Sequence, residues 1–316
     1  MWSFSKKKKY FQKIKLAENL RKEGKYQEAA SAYLDAFDDI INVKDYFNLA
    51  CIYIDLKEYD KSIHIFEDII SEVKAKDEAV LADVYFGLGL CYDNLRQKDK
   101  AIENYELALK LGYNNPDCLY FLAYLYDEEE KDIDAFETKM AMEYLERAIN
   151  IAPDYVYPYV CLGNIYARCE DNEKALTYFL KAKELDKDNV TNSDYNLAVT
   201  YDVLGNKKEA LKYYLKELES PFPFKATYYN LGILYKDMKE YDKSLQYYLK
   251  AIEIDKEDFN AWYNLACLYA LMDDFDNAFS CLTYIKYNKN KYLETTKTDD
   301  ELIELRKDQR YEELFK

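Results

Sequence analysis

Three features of this 316-residue sequence predict an all-α solenoid of stacked antiparallel helix pairs. The first is a repeat. AWYNLACLYALMDDFDNA, from Ala261, restates TYYNLGILYKDMKEYDKS thirty-four residues earlier, with Leu265 answering Leu231, Ala266 Gly232, Tyr269 Tyr235 and Ala278 Ser244. The second is period: the shared residues of each copy fall on one face at about 100° per residue, as on an amphipathic helix. The third is composition. Five prolines and seven glycines leave few breakers, and Lys, Glu, Leu, Ala and Tyr dominate, a mixture that favours helices with short connections.

Let each copy be numbered so that its first-helix Leu is position 7, the small residue after it 8 and the next aromatic 11. A second helix then carries Ala or Ser at 20, an aromatic or Leu at 24 and often Ala at 27. Residues 1–9 are a basic N-terminal segment, and eight copies fill residues 10–292. The loosest is 10–43, with Leu16, Ala17 and Leu20, then Gly24-Lys25-Tyr26, Ala29, Tyr33 and Ala36. Residues 43–76 carry Leu49-Ala50-Tyr53 with Ser62 and Phe66; residues 82–115 carry Leu88-Gly89-Tyr92 with Ala101, Tyr105 and Ala108. Next come 116–155, with Leu122-Ala123-Tyr126, Ala141, Leu145 and Ala148, and 156–189, with Leu162-Gly163-Tyr166, Ala175, Phe179 and Ala182. Residues 191–224 hold Leu197-Ala198-Tyr201, Ala210 and Tyr214; residues 225–258 hold Leu231-Gly232-Tyr235, Ser244, Tyr248 and Ala251. The last copy, 259–292, holds Leu265-Ala266-Tyr269, Ala278 and Leu282.

Small residues at 8 and 20 let two helices approach closely, and large ones at 4, 11 and 24 fill the space beside that contact. One such pair cannot bury its apolar face alone, whereas stacked neighbours can. Residues 293–316 break the pattern and form a C-terminal capping helix region, in which Leu302, Ile303, Leu305, Tyr311, Leu314 and Phe315 are expected to cover the last repeat. Five extra residues around SEVKAKDEAV predict longer helices, because the stretch holds good helix formers and no breakers. Six more around YDEEEKDIDAFETK read as a solvated acidic extension, since the Gly-centred spacing of a calcium loop is missing.

The pattern resembles the tetratricopeptide repeat, Trp-x2-Leu-Gly-x2-Tyr, then Ala-x3-Phe, then Pro. The resemblance spans roughly residues 10–292, with Trp at position 4 only as Trp262 and the terminal Pro clear only at Pro153. It implies a right-handed superhelix whose concave wall is lined by positions 2, 5, 9, 12 and 13 and takes up extended or helical peptides. Carried across residue by residue, the groove is expected at Phe47, Phe86, Leu90, Tyr120, Tyr124, Asn164, Tyr195, Val199, Tyr229, Ile233 and Tyr263. In the looser first copy the same positions 5 and 9 fall on Ile14 and Glu18. Tyrosines with a wet tip and an apolar body suit such a wall, although rings that pack on the neighbouring repeat would give the same pattern. Asn48, Asn196, Asn230 and Asn264 recur at position 6, where packing or backbone hydrogen bonding is favoured over a ligand contact.

The expected activity is protein–protein interaction, with a peptide or partner surface in the groove; the competing expectation is a structural protein with weak self-association. Over the groove positions, acids (Glu18, Asp55, Asp83, Asp93, Asp117, Asp127, Glu128, Asp202, Asp237) outnumber bases (Arg21, Lys22, Lys44, Arg168, Lys236), which predicts neutral or basic ligand segments with apolar anchors. A net charge of −16 argues against general nucleic-acid binding. A basic cluster at Lys6–Lys9, Lys13 and Lys15 beside Trp2, Phe4, Tyr10 and Phe11 reads first as a solvated helix start. No catalytic, cofactor or metal constellation is predicted. The one histidine, His64, falls at surface position 22, and seven cysteines without a CxxC pair read as small buried side chains in a reducing compartment. With no apolar run long enough for a signal or membrane span, a cytoplasmic protein is expected.

Overall fold

The computed structural model describes residues 4–37, 42–72, 77–127, 135–187, 191–288 and 291–315, all helical or in connections. It divides into two compact units, Met1–Cys161 and Leu162–Lys316. The first holds α1 (Phe4–Lys22), α2 (Tyr26–Ala36), α3 (Val43–Asp55), α4 (Tyr59–Glu72), α5 (Glu78–Asn94), α6 (Lys98–Lys110), α7 (Pro116–Tyr126) and α8 (Phe136–Ile151). The boundary falls inside α9 (Val156–Arg168). The second holds α10 (Asn172–Leu185), α11 (Ser193–Val203), α12 (Lys207–Glu217), α13 (Lys225–Asp237), α14 (Tyr241–Ile254), α15 (Phe259–Leu271) and α16 (Phe275–Asn288). Odd and even helices pair antiparallel, as the repeat predicts.

Among the described residues, seven pairs are closed by the same turn. Position 15 adopts a left-handed backbone at Gly24, Lys57, Arg96, Glu170, Gly205, Lys239 and Asp273. The amide that follows then donates to the carbonyl of position 11, as in Lys25 to Leu20 at 2.9 Å, Glu58 to Tyr53 at 2.8 Å and Glu240 to Tyr235 at 2.9 Å. Such a turn satisfies carbonyls left over at the end of the first helix. Glycine fills it at only two of these seven places, so the sequence conceals a turn that the backbone repeats.

The helix pair is seated on position 8. A Cβ at Gly89, Gly163 or Gly232 would lie 2.4–2.5 Å from the ring at position 24 of the same repeat, Tyr105, Phe179 or Tyr248. At position 20, the hydroxyls of Ser62 and Ser244 donate to the carbonyls of Ala50 and Gly232 at 2.9 and 2.7 Å. The close approach of the two helices is thus both steric and hydrogen-bonded.

Tyrosine supplies a further layer. Position 11 stacks on position 23 in Tyr166–Tyr178, Tyr201–Tyr213 and Tyr235–Tyr247, with centroids 5.4–5.6 Å apart and planes within 10°. A lysine at position 19 lies over the position-11 ring in Lys61–Tyr53, Lys100–Tyr92, Lys174–Tyr166 and Lys243–Tyr235, at 5.0–5.2 Å. Charge and ring attract in this arrangement.

Two expectations need correction at the ends. Leu16, aligned with the buried leucines of position 7, is 53% exposed, while Ile14, aligned with the groove, is buried. Leu16 faces outward on α1, and Lys13 beside it takes the place of the usual aromatic. Lys6–Lys9 lie exposed on α1. At the other end α17 (Lys291–Thr295), two 3-10 turns and α18 (Arg310–Glu313) form the cap. Leu302, Leu305, Tyr311 and Leu314 are buried there together with Leu293 and Thr296, but Ile303 and Phe315 are exposed. The chain turns at residues 300–307, so consecutive apolar residues cannot all face inward.

The lengthening expected near SEVKAKDEAV appears in the 17-residue α5. Residues 73–76, the acidic stretch 128–134 with Glu128, and Trp2 lie outside the described residues.

Candidate functional site

Positions 5 and 9 of the odd helices hold the predicted groove residues. In the first unit Phe47 rests on Phe66 at 5.5 Å, while Phe86 contacts Tyr105 at 5.8 Å and stacks on Tyr113 at 4.7 Å. Leu90 is half-buried on the next turn of α5. Tyr120 meets Tyr155 and Tyr157, each at 5.8 Å, and Tyr124, one turn along α7, is 65% exposed. Burial pushes the Tyr120 and Tyr113 hydroxyls up to about 12.

In the second unit Asn164 is exposed on α9, and Val199 and Ile233 are half-buried. Tyr195 contacts Phe224 at 5.0 Å and Tyr214 at 6.4 Å, and Tyr229 contacts Tyr248 at 6.1 Å. Their hydroxyls are tied to the following repeat. Asn230 donates to Tyr195 at 3.4 Å and Asn264 to Tyr229 at 3.0 Å. Asn264 also donates to its own Asn260 carbonyl at 3.1 Å. At the end of the row Tyr263 donates to Asp299 of the cap at 2.7 Å, so the cap takes the place of the next repeat's asparagine.

Asn230 and Asn264 at position 6 therefore join repeats, and the spacing of thirty-five residues from Tyr195 to Asn230 and from Tyr229 to Asn264 is the sequence signal that was available. The rings of position 5 are partly scaffold. What they expose is one edge or face, set between carboxylates.

Those carboxylates respond to burial. It raises the acids of Asp83, Asp93 and Asp202 above the ordinary carboxylate range, and at Asp202 the charge of Asp237 adds to the rise. Cations cluster instead at the beginning of the first unit, where Arg21, Lys22 and Lys44 line a pocket with Glu18, Asp55, Tyr33 and Asn48. Arg21 lies 3.7 Å from Asp55 there.

Cys267, Asp299 and Glu301 bring a thiol and two carboxylates within 4.8 Å of one another. Lys236 donates to both oxygens of Glu301 at 2.7 Å, so an ammonium already answers this charge. None of the seven cysteines forms a disulfide. Burial pushes the thiols of Cys51, Cys91 and Cys161 up to about 11 and those of Cys118 and Cys281 to about 12, which keeps them protonated and poorly nucleophilic. His64 is exposed, with Nε2 3.9 Å from Asp68. Among the described residues, no helix is long and apolar enough to cross a membrane.

Comparison with known proteins agrees with this geometry. Tetratricopeptide repeat models match residues 46–72, 82–115, 158–189, 226–258 and 247–279. The C-terminal part of a TPR repeat-containing protein from Cytophaga hutchinsonii is 21% identical, with a TM-score of 0.60 over 78% of this chain and 97% of that one. Pseudomonas aeruginosa pilF is 19% identical, with a TM-score of 0.56 over 71% of this chain and 100% of its own. A tetratricopeptide repeat protein from Parabacteroides merdae is 15% identical, with a TM-score of 0.54 over 82% and 98%. At these identities the likeness shows the fold alone. No match was found among curated proteins.

Proposed function

This chain belongs to the tetratricopeptide-repeat proteins, and from that premise we propose that it is a non-enzymatic scaffold that docks peptide segments on its odd helices. A general protein-interaction role is supported by the fold. The observation that carries the finer reading is the row of half-buried side chains at positions 5 and 9. Phe47, Phe86, Leu90 and Tyr120 in one unit, and Tyr195, Val199, Tyr229 and Ile233 in the other, leave an apolar floor open beside a satisfied scaffold. A binding floor needs just this rigidity, because ordering side chains on association costs affinity.

The preferred ligand is a neutral or basic segment with apolar anchors. A peptide carboxylate would be desolvated beside Asp83, Asp93 and Asp202, whose own charged forms are already disfavoured by burial. Seven cysteines outside any disulfide, six of them with thiols raised by burial, suit a reducing compartment, and we place the protein in the cytoplasm.

Peptide-array binding at two salt concentrations tests the docking role. Neutral and basic segments with large apolar residues should be retained, and Tyr229→Ala should weaken hits held by the second unit. Selective capture of acidic C-terminal tails, indifferent to Tyr229→Ala, would overturn both the face and the preference.

A further inference from the structure

We infer that the third and fourth repeats receive the guanidinium or ammonium group of a basic segment, with Tyr124 and Tyr157 offering ring faces and Asp83, Asp93 and Asp117 the opposing charge. The inference rests on the docking role proposed above and assigns the partner's chemistry to one part of that face.

Three observations lead there, all within the first unit. First, Tyr120, Tyr155 and Tyr157 form a triangle of rings with every centroid separation 5.8 Å. Internal packing would satisfy them, yet Tyr157 remains 41% exposed and Tyr124 beside them 65%. Phenol rings left open this way form an aromatic patch rather than a scattering of surface residues.

Second, the sequence keeps cations off this face. Positions 2, 5, 9, 12 and 13 read Asp83, Phe86, Leu90, Asp93 and Asn94 in the third repeat, and Asp117, Tyr120, Tyr124 and Asp127 at the first four of them in the fourth. The cations of this unit's inner face precede it, Arg21 and Lys22 in the first repeat and Lys44 in the second, where Lys44 shares a pocket with Asp83.

Third, burial raises the carboxyls of Asp83 and Asp93, so a counter-charge brought to them would favour their ionised forms. A ligand cation would supply that charge. Asp117 is held in place by the Tyr155 hydroxyl, which leaves its remaining lone pairs for a ligand.

A neutral apolar side chain would gain from the rings but nothing from the acids. An arginine or lysine gains from both, and its methylene stem can lie along Leu90 while the head meets the ring faces. The chain uses the same contact internally, where Lys100 lies 5.0 Å over Tyr92.

The test uses the full chain with ring-13C-labelled tyrosine, titrated with N-acetyl-arginine amide and its neutral isostere N-acetyl-citrulline amide. Arginine should shift the Tyr124 and Tyr157 signals and bind about fivefold or more tighter than citrulline. Asp117→Asn should narrow that ratio, and Tyr124→Leu should remove the response while preserving apolar area. Equal shifts by the two probes would overturn the cation receptor, as would arginine shifts confined to other tyrosines. Neither result would touch the docking role, which fails only if the array retains acidic tails or if Tyr229→Ala has no effect on second-unit hits.

Discussion

Replacing Gly163 by alanine should destabilise the fifth helix pair, although helix propensity alone predicts a gain of about 1 kcal/mol in a helix interior. The added Cβ would stand 2.5, 2.6 and 2.9 Å from three ring atoms of Phe179, where ordinary contact begins at 3.4 Å. Phe179 is only 2% exposed, so its ring has no solvent side into which to retreat. It must move by roughly an ångström into a packed interior, and overpacking of this kind costs about 1–3 kcal/mol. Set against propensity, the net loss is on the order of 0–2 kcal/mol, and Gly163→Leu should lose more. Urea unfolding should show a lower midpoint with an unchanged slope, and hydrogen exchange should quicken in α9 and α10 before the ends of the chain. Phe179→Leu in the alanine background should recover part of the loss, since Ala123 with Leu145 and Ala266 with Leu282 already show that pairing in this sequence. A Gly163→Ala protein more stable than the parent, or one with no coupling to residue 179, would refute the seat assigned to position 8.

Three further outcomes follow from other parts of the scaffold. Glu170→Gly and Lys239→Gly should each stabilise by up to about 1 kcal/mol, because both residues hold a left-handed backbone near φ 62° that glycine adopts without strain; a fall in melting temperature would count against the turn. Asp194→Ala should cost about 1.5–3 kcal/mol, since it strips a buried carboxylate from Lys183 at 2.8 Å and Lys216 at 3.5 Å while both ammonium groups keep access to solvent, and denaturant midpoints would report it. Burial raises the Asp93 carboxyl in the folded chain, so its ionised form costs stability above that raised value, and the cost disappears as pH falls towards the unfolded value. Asp93→Asn should therefore raise the melting temperature at pH 7 and lose that advantage in acid; an advantage that grew in acid would reverse the assignment.

The helix pairs were legible because their apolar marks are local: Leu, a small residue and Tyr within one helix decide its face. The turn between helices was not. Lys57, Arg96 and Asp273 carry no signature of a left-handed backbone, and only the closing hydrogen bond to position 11 imposes it. The site fell between these extremes. Which residues occupy position 5 could be read, but whether they are free depends on side chains one repeat away.

Position 6 decides that freedom. Where it is asparagine, as in Asn230 and Asn264, the preceding tyrosine is tied down by its hydroxyl. In the second unit's ladder the rings are therefore fixed walls, against which a docked segment would rest together with the side chains between them. In the third repeat position 6 is Gly87, whose missing Cβ leaves room for Phe66 of the repeat before it, 2.4 Å from where that atom would be. In the fourth it is Phe121, stacked on Tyr105 at 6.2 Å, and in the fifth Cys161, a weaker partner that bonds Tyr120. The asparagine ladder is interrupted at these places, and beside the interruption tyrosines crowd together and turn outward at Tyr124 and Tyr157. One substitution pattern thus accounts for both features: a regular scaffold where the amide is present, and an open aromatic patch where it is not. Installing the amide should move one towards the other. Cys161→Asn should anchor the Tyr120 hydroxyl more firmly, slow exchange along α7, and leave the Tyr124 ring signal in place; an unchanged α7 would show that the amide is incidental to the order of these rings.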